Sequence, residues 1–234
     1  MRKILALSLV AMITASAAAE KPIPAPVDES SRVECGLGSS CWTWDGSFTT
    51  ESCDEAGGIP VWEYGHAVGI PTFGCGEPID SVLGTSLNGD YPDEAGERAI
   101  LGTITVTKTC NLVELCHFYD IESGYDGANF EVGVEGDWFV ANPTGYYPDW
   151  HVNSNNSYYA WCVDGEAGFN GQSSGFVRDC FDLTTWLGET VQIAVAFGSD
   201  GSVTGRGWYI ASAVQGSLLT PGELEIWPTA KGRY

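Results

Sequence analysis

The sequence predicts an all-β fold, a mostly antiparallel, disulfide-stabilised β-sandwich or jelly roll. Three observations predict it. From Val61 onward, short apolar stretches alternate with turns rich in Gly, Asn, Asp and Pro. Val191, Ile193, Val195 and Phe197 alternate with Gln192, Ala194, Ala196 and Gly198, a clear period of two. Eight cysteines, at 35, 41, 53, 75, 110, 116, 162 and 180, follow a secretory leader, and an even number in that context reads as a disulfide framework.

The leader is residues 1–19. Arg2 and Lys3 form a positive start, Ile4 to Ile13 a short apolar run, and Ala15 to Ala19 a small-residue cleavage region. The apolar run is too short to span a bilayer. Residues 20–32, with Pro22, Pro24 and Pro26, read as an extended linker, and residues 33–60 as a Cys-containing, loop-rich segment with one short strand near Cys41 to Trp44. Residues 61–216 form the sandwich domain, and 217–234 a C-terminal tail with a short strand at Glu223 to Trp227.

Within the domain, Ala99 to Thr107 is β-branched and strand-like. Leu112 to Tyr119 is apolar on both faces, as a central strand is. Phe130, Val132 and Val134 alternate with polar or small residues, and Gly136 to Ala141 is the hairpin partner. Phe176 to Leu183 and Gly207 to Val214 complete the strands, with a single helical turn at Leu183 to Leu187. Proximity in sequence favours the pairs Cys35–Cys41, Cys110–Cys116 and Cys162–Cys180, although spacing alone does not fix connectivity. A zinc site is the rival use of these cysteines, but there is no Cys-x-x-Cys pair and the chain has three histidines.

The chain has 10 basic and 31 acidic residues, a net charge of −21. Loss of Arg2 and Lys3 with the leader makes the balance more acidic still. Charge therefore argues against nucleic acid or an anionic membrane surface as partner and favours cations. The turn from Tyr119 to Val132 concentrates this charge, with Asp120, Glu122 and Asp126 set among Gly124 and Gly127. Carboxylates crowded at a corner suit a hard cation such as calcium, and the glycines suit a tight turn with φ > 0. The candidate calcium ligands are Asp90, Asp120, Glu122, Asp126 and Asp200. Capping of Gly-containing turns is the simpler use of the same acids.

A paired-carboxylate hydrolase would need two acids flanking a cleft, and Asp120 and Glu122 share a face if that segment is a strand. No Gly-x-Ser-x-Gly elbow is present, and His66, His117 and His151 are scattered. His117 shares a face with Leu115 and Tyr119, the position of a buried, satisfied histidine. Tyr146, Tyr147, Trp150, Tyr158, Tyr159 and Trp161 cluster with Asn153, Asn155 and Asn156. Aromatics beside amides suit a glycan or an extracellular protein partner, and they equally suit packing beneath a long loop.

Several segments together resemble a known family. They are Val61-Trp62-Glu63-Tyr64-Gly65, the stretch Leu83 to Pro92, the turn Tyr119 to Val132, the strand and turn Phe176 to Gly188, and Phe197-Gly198-Ser199-Asp200-Gly201 leading to Gly207-Trp208-Tyr209-Ile210. In order and spacing they are similar to the MAM-like jelly-roll domain of secreted immune inhibitor A-type metallopeptidases. The resemblance implies a sandwich and a structural cation. Two departures stand out. Ala211 and Ser212 occupy positions where that family carries Asp-Asp, the first of which helps to hold the cation. The peptidase is also missing, since no His-Glu-x-x-His occurs, which excludes a zinc protease of that type. The sequence thus predicts a secreted, non-catalytic binding or adhesion module, with the paired-carboxylate hydrolase as the alternative.

Overall fold

A computed structural model describes residues 35–53, 58–141, 143, 147, 148, 152 and 160–218. Fourteen strands are found among them. In chain order they are β1 (Leu37–Thr43), β2 (Thr49–Ser52), β3 (Glu63–Gly65), β4 (Phe73–Gly74), β5 (Glu77–Pro78), β6 (Val82–Gly84), β7 (Gly96–Thr105), β8 (Leu112–Ile121), β9 (Gly127–Val134), β10 (Asp137–Val140), β11 (Gly171–Gln172), β12 (Val177–Asp182), β13 (Thr190–Gly198) and β14 (Gly207–Leu218). Single 3-10 turns lie at Trp161–Val163 and Thr184–Trp186.

The strands form a β-sandwich of two main antiparallel sheets. The first joins β11, β8, β14, β6 and β3, with β1 also on β14 and β12 also on β8. The second runs β10-β9-β13-β7-β2. The period of two in β13 explains its placement. Val191, Ile193, Val195 and Phe197 enter the core between the sheets, while Gln192 stays exposed on the outer face. Ala196 packs outward beneath Val152, Ala160 and Val163 of the long connection after β10.

Strand β8 is buried on both faces because both are covered. Val113, Leu115, Tyr119 and Ile121 face the main core. On the other side Phe118 packs with Tyr209, Val82 and Ala67, and Cys116 is bridged to Cys75. His117 is fully buried and satisfied: its Nδ1 accepts from Trp208 Nε1–H at 2.8 Å. Its Nε2 lies 2.8 Å from Asp179 Oδ2, so Nε2 carries the proton and donates. This polar line links β8, β12 and β14 across one sheet, and its satisfaction is what makes burial tolerable.

The segment 33–60, expected as loop-rich, supplies strands to both sheets. β1 pairs with β14, and β2 forms the edge beside β7. The strand at 223–227 lies outside the described residues.

The disulfides correct the pairing read from proximity. The bonds are Cys35–Cys180, Cys41–Cys110, Cys53–Cys162 and Cys75–Cys116, and no free cysteine remains. Cys35–Cys41, Cys110–Cys116 and Cys162–Cys180 do not form. Proximity fails because Cys41 lies within β1 and Cys116 within β8, where each side chain is aimed by its strand, away from its sequence neighbour. The bonds instead join segments 41 to 145 residues apart, and long closed loops are where cross-links constrain the unfolded chain most. A non-reducing peptide map should therefore recover these four linkages and no free thiol. A map with Cys35 joined to Cys41 would contradict this topology.

Candidate functional site

One end of the sandwich gathers three acids from distant parts of the chain. Glu122 follows the last residue of β8, Asp126 precedes β9, and Asp200 follows β13. A carboxylate oxygen of each lies within 4.8 Å of the others. Asp126 and Asp200 are buried and Glu122 is half-buried.

The loops are held in place by hydrogen bonds before any ion is considered. The Tyr91 hydroxyl donates to Asp126 Oδ2 at 2.6 Å and accepts from the Glu122 backbone N–H at 3.0 Å. The Asp200 backbone N–H donates to Asp126 Oδ1 at 2.7 Å, and Ser202 N–H donates to Asp200 Oδ1 at 3.0 Å. Ser199 Oγ accepts from Ala95 N–H and donates to the Pro92 carbonyl, so the segment before β7 is zipped to the one after β13. Local geometry follows from composition. Gly124 has φ +83°, a conformation that disfavours other side chains. Gly127 serves a different need, because a Cβ there would come within 2.7 Å of the Val152 methyls.

The electrostatics are unfavourable without a counter-charge. Burial pushes the Asp126 carboxyl up to about 7, against hydrogen bonds from Tyr91 and Asp200 that lower it, with the nearby charges of Asp200 and Glu122 adding to the rise. Glu122 is raised by burial and by Asp200 and Asp93. The Tyr91 hydroxyl is pushed well above its ordinary range by burial and by Asp126. Glu122 Oε2 is buried with no hydrogen-bond partner among the described residues.

These residues fit a hard cation. All three side chains offer oxygen, the oxygens lie within 4.8 Å of one another, close enough for one ion with calcium–oxygen bonds of about 2.4 Å to reach them, and the orphaned Glu122 oxygen gains a partner if a cation sits there. Carboxylate oxygens already accepting one hydrogen bond retain a second lone pair for coordination.

Of the five acids read as cation ligands, Glu122, Asp126 and Asp200 are brought together. Asp90 is exposed and lies outside the cluster, and Asp120, at the end of β8, does too. Both act electrostatically on the Tyr209 hydroxyl instead. The face shared by Asp120 and Glu122 is lost because β8 ends at Ile121 and the chain turns there. Ala211 sits at an irregularity in β14 and packs against the Phe118 and Tyr209 cluster. The acids thus gather without any contribution from position 211. Tyr91 and Asp93 also act on this cluster and are not among the acids that the sequence marks as ligands. The signal was present in the Asp90-Tyr91-Pro92-Asp93 turn, where Asp93 rather than Asp90 acts on Glu122.

Among the aromatics read as a binding cluster, Tyr147 is fully buried. Its hydroxyl donates to the Ala141 carbonyl at 2.9 Å and accepts from Phe130 N–H at 3.3 Å. It is a core residue against Phe169, which removes it from any ligand surface. Tyr146, Trp150, Tyr158, Tyr159 and the Trp161 side chain lie outside the described residues.

No family model matches the chain. A segment covering 65% of it is 25% identical, over 156 residues, to bacillopeptidase F of Bacillus subtilis. The chain spans 9% of that protein's length. Among solved structures, the K2 cleaved adhesin domain of Lys-gingipain aligns over 80% of this chain and 97% of its own, with 13% identity and a TM-score of 0.41. The finer assignment to the MAM-like group rests on the sequence motifs alone.

The raised Asp126 value makes a signed prediction for the protein in chelator. A carboxyl with a folded value near 7 and an ordinary value of 3.8 holds more protons folded than unfolded between those limits. Stability is then present at low pH and is lost as pH rises from about 4 through 7, by roughly 1–3 kcal/mol. Thermal unfolding with chelator should give a higher midpoint at pH 5.5 than at pH 8, and Asp126→Asn should flatten that difference. A midpoint that rises over the same interval would contradict the assignment.

Proposed function

We propose that this protein is a secreted, non-catalytic binding module that recognises a glycan or an extracellular protein and is stabilised by calcium at Glu122, Asp126 and Asp200. The observation that carries the reading is the enclosure of the acidic cluster. Its oxygens face each other and backbone N–H groups within about 5 Å, so they organise loops rather than flank a substrate cleft. Calcium would neutralise the mutual repulsion and leave the Tyr91–Asp126 link in place.

Secretion is supported by the leader-like start and by four disulfides, which persist in oxidising compartments. Among the described residues no helix is long and apolar enough to cross a membrane. The partial match to a small part of bacillopeptidase F supports a module that recurs within a longer chain. The hydrolase alternative has less support. Glu122 belongs to the enclosed cluster while Asp120 does not, and the His117–Asp179 pair is sealed in the core.

Calcium should raise the unfolding midpoint of the mature protein at pH 7.5, with stabilisation of about 2.7 kcal/mol at a hundredfold excess over Kd. Glu122→Gln should abolish the shift while preserving the midpoint in chelator. Screening the protein against glycan and extracellular-protein arrays should give binding, and assays on polysaccharide substrates should show no turnover. Hydrolysis lost in Asp120→Asn would overturn the non-catalytic reading.

A further inference from the structure

We infer that a shallow groove on the outer face of the five-stranded sheet, at its β2 edge, binds a neutral saccharide. The inference deepens the binding-module reading and rests on it. The groove has a volume of about 270 Å³ and is lined by Ser47, Phe48, Thr49, Ile100 to Thr103, and Gln192.

Its shape comes from a defect in the sheet. β7 and β13 pair residue for residue except at one point, where Ile193 faces Gly102 and Ala194 faces Ile100. Leu101 is the extra residue, and a bulge of this kind bends and twists the strand locally. Next to it a Cβ on Gly102 would lie 3.1 Å from the Trp42 ring. A side chain at 102 would therefore crowd the very point where the strand bends. The lip opposite is fixed in advance. Trp44 Nε1–H donates to the Ser47 carbonyl at 2.5 Å, and Asp45 Oδ1 accepts from both Ser47 N–H and Ser47 Oγ–H. A site held in one shape before binding loses less entropy when a ligand arrives.

The chemistry of the lining selects the ligand class. None of the lining residues is charged, in a chain with 31 acidic and 10 basic residues. A charged ligand would find no counter-charge there. The half-buried Phe48 and Ile100 offer apolar surface, while Thr49, Thr103 and Gln192 are exposed beside them. Among the described residues, the side chains of these three have no hydrogen-bond partner. Two hydroxyls and an amide supply donors and acceptors at once, which is what sugar hydroxyls need, and an aromatic face suits the C–H face of a pyranose. The volume admits a short stretch of a longer chain rather than enclosing a whole ligand.

The test is affinity electrophoresis of the calcium-loaded protein through gels containing neutral polysaccharides (β-glucan, mannan, xylan and starch), with alginate as the anionic comparison. Titration with the matching oligosaccharide then gives Kd. At least one neutral polysaccharide should retard the protein and alginate should not. The double variant Thr103→Ala/Gln192→Ala, altered only at exposed positions, should bind at least tenfold more weakly with an unchanged unfolding midpoint. Unchanged affinity in that variant, with loss in Trp150→Ala/Tyr158→Ala, would overturn the groove and leave glycan binding intact elsewhere. Binding of a protein but of no neutral saccharide would overturn the groove and leave the module reading standing. Absence of any partner would overturn both.

Discussion

The carboxylate of Asp126 is the constraint on which this end of the molecule depends. One oxygen takes the Tyr91 hydroxyl and the other the backbone N–H of Asp200. Tyr91 in turn receives the N–H of Glu122. A single buried acid thereby ties together the segment entering β7, the turn from β8 to β9 and the connection from β13 to β14. Those three connections cross between the two sheets, so fixing them fixes how the sheets are set on one another. The arrangement carries an electrostatic cost, because Asp126, Glu122 and Asp200 crowd like charges in a poorly solvated place. The cation proposed here would relieve that cost and leave in place the hydrogen bonds that position its ligands.

The rest of the fold spreads its stability over other devices. Aromatic packing fills the space between the sheets, with Trp208, Phe169, Phe181 and Phe130 packed ring to ring in that order. The His117–Asp179–Trp208 line gives the larger sheet a polar register mark. On the outer face of the other sheet, Arg98 is held by Glu131 and Glu51 and lies 4.4 Å over the Trp138 ring. Four disulfides then staple the edges and long connections. These fixed points lie remote from the acidic end.

Much of this was legible in the chain. Strict alternation placed β13, and unbroken apolarity placed β8 as a central strand, because side-chain period and two-sided burial leave local marks in sequence. The acidic turn marked Asp126 and Glu122 for the same reason. The partners of that turn were harder to read. Asp200 lies 74 residues from Asp126, and Tyr91 lies 35 residues before it, so their meeting depends on how strands are ordered in space. Asp90 is the acid that the sequence offers from this segment, yet Asp93 is the one that acts on Glu122. The disulfides failed for the same physical reason, since cysteine proximity along a strand-rich chain says little about proximity across a sandwich. The bulge at Leu101 left no mark in the hydrophobic pattern, since it arises from register between two strands distant in the chain.

The most direct test of the central claim is isothermal titration of calcium into the chelator-stripped protein and into its Asp126→Asn variant at pH 7.5. The account predicts one ion per chain for the parent and loss of that binding in the variant. No binding by the parent, or an ion still held by the variant, would contradict it.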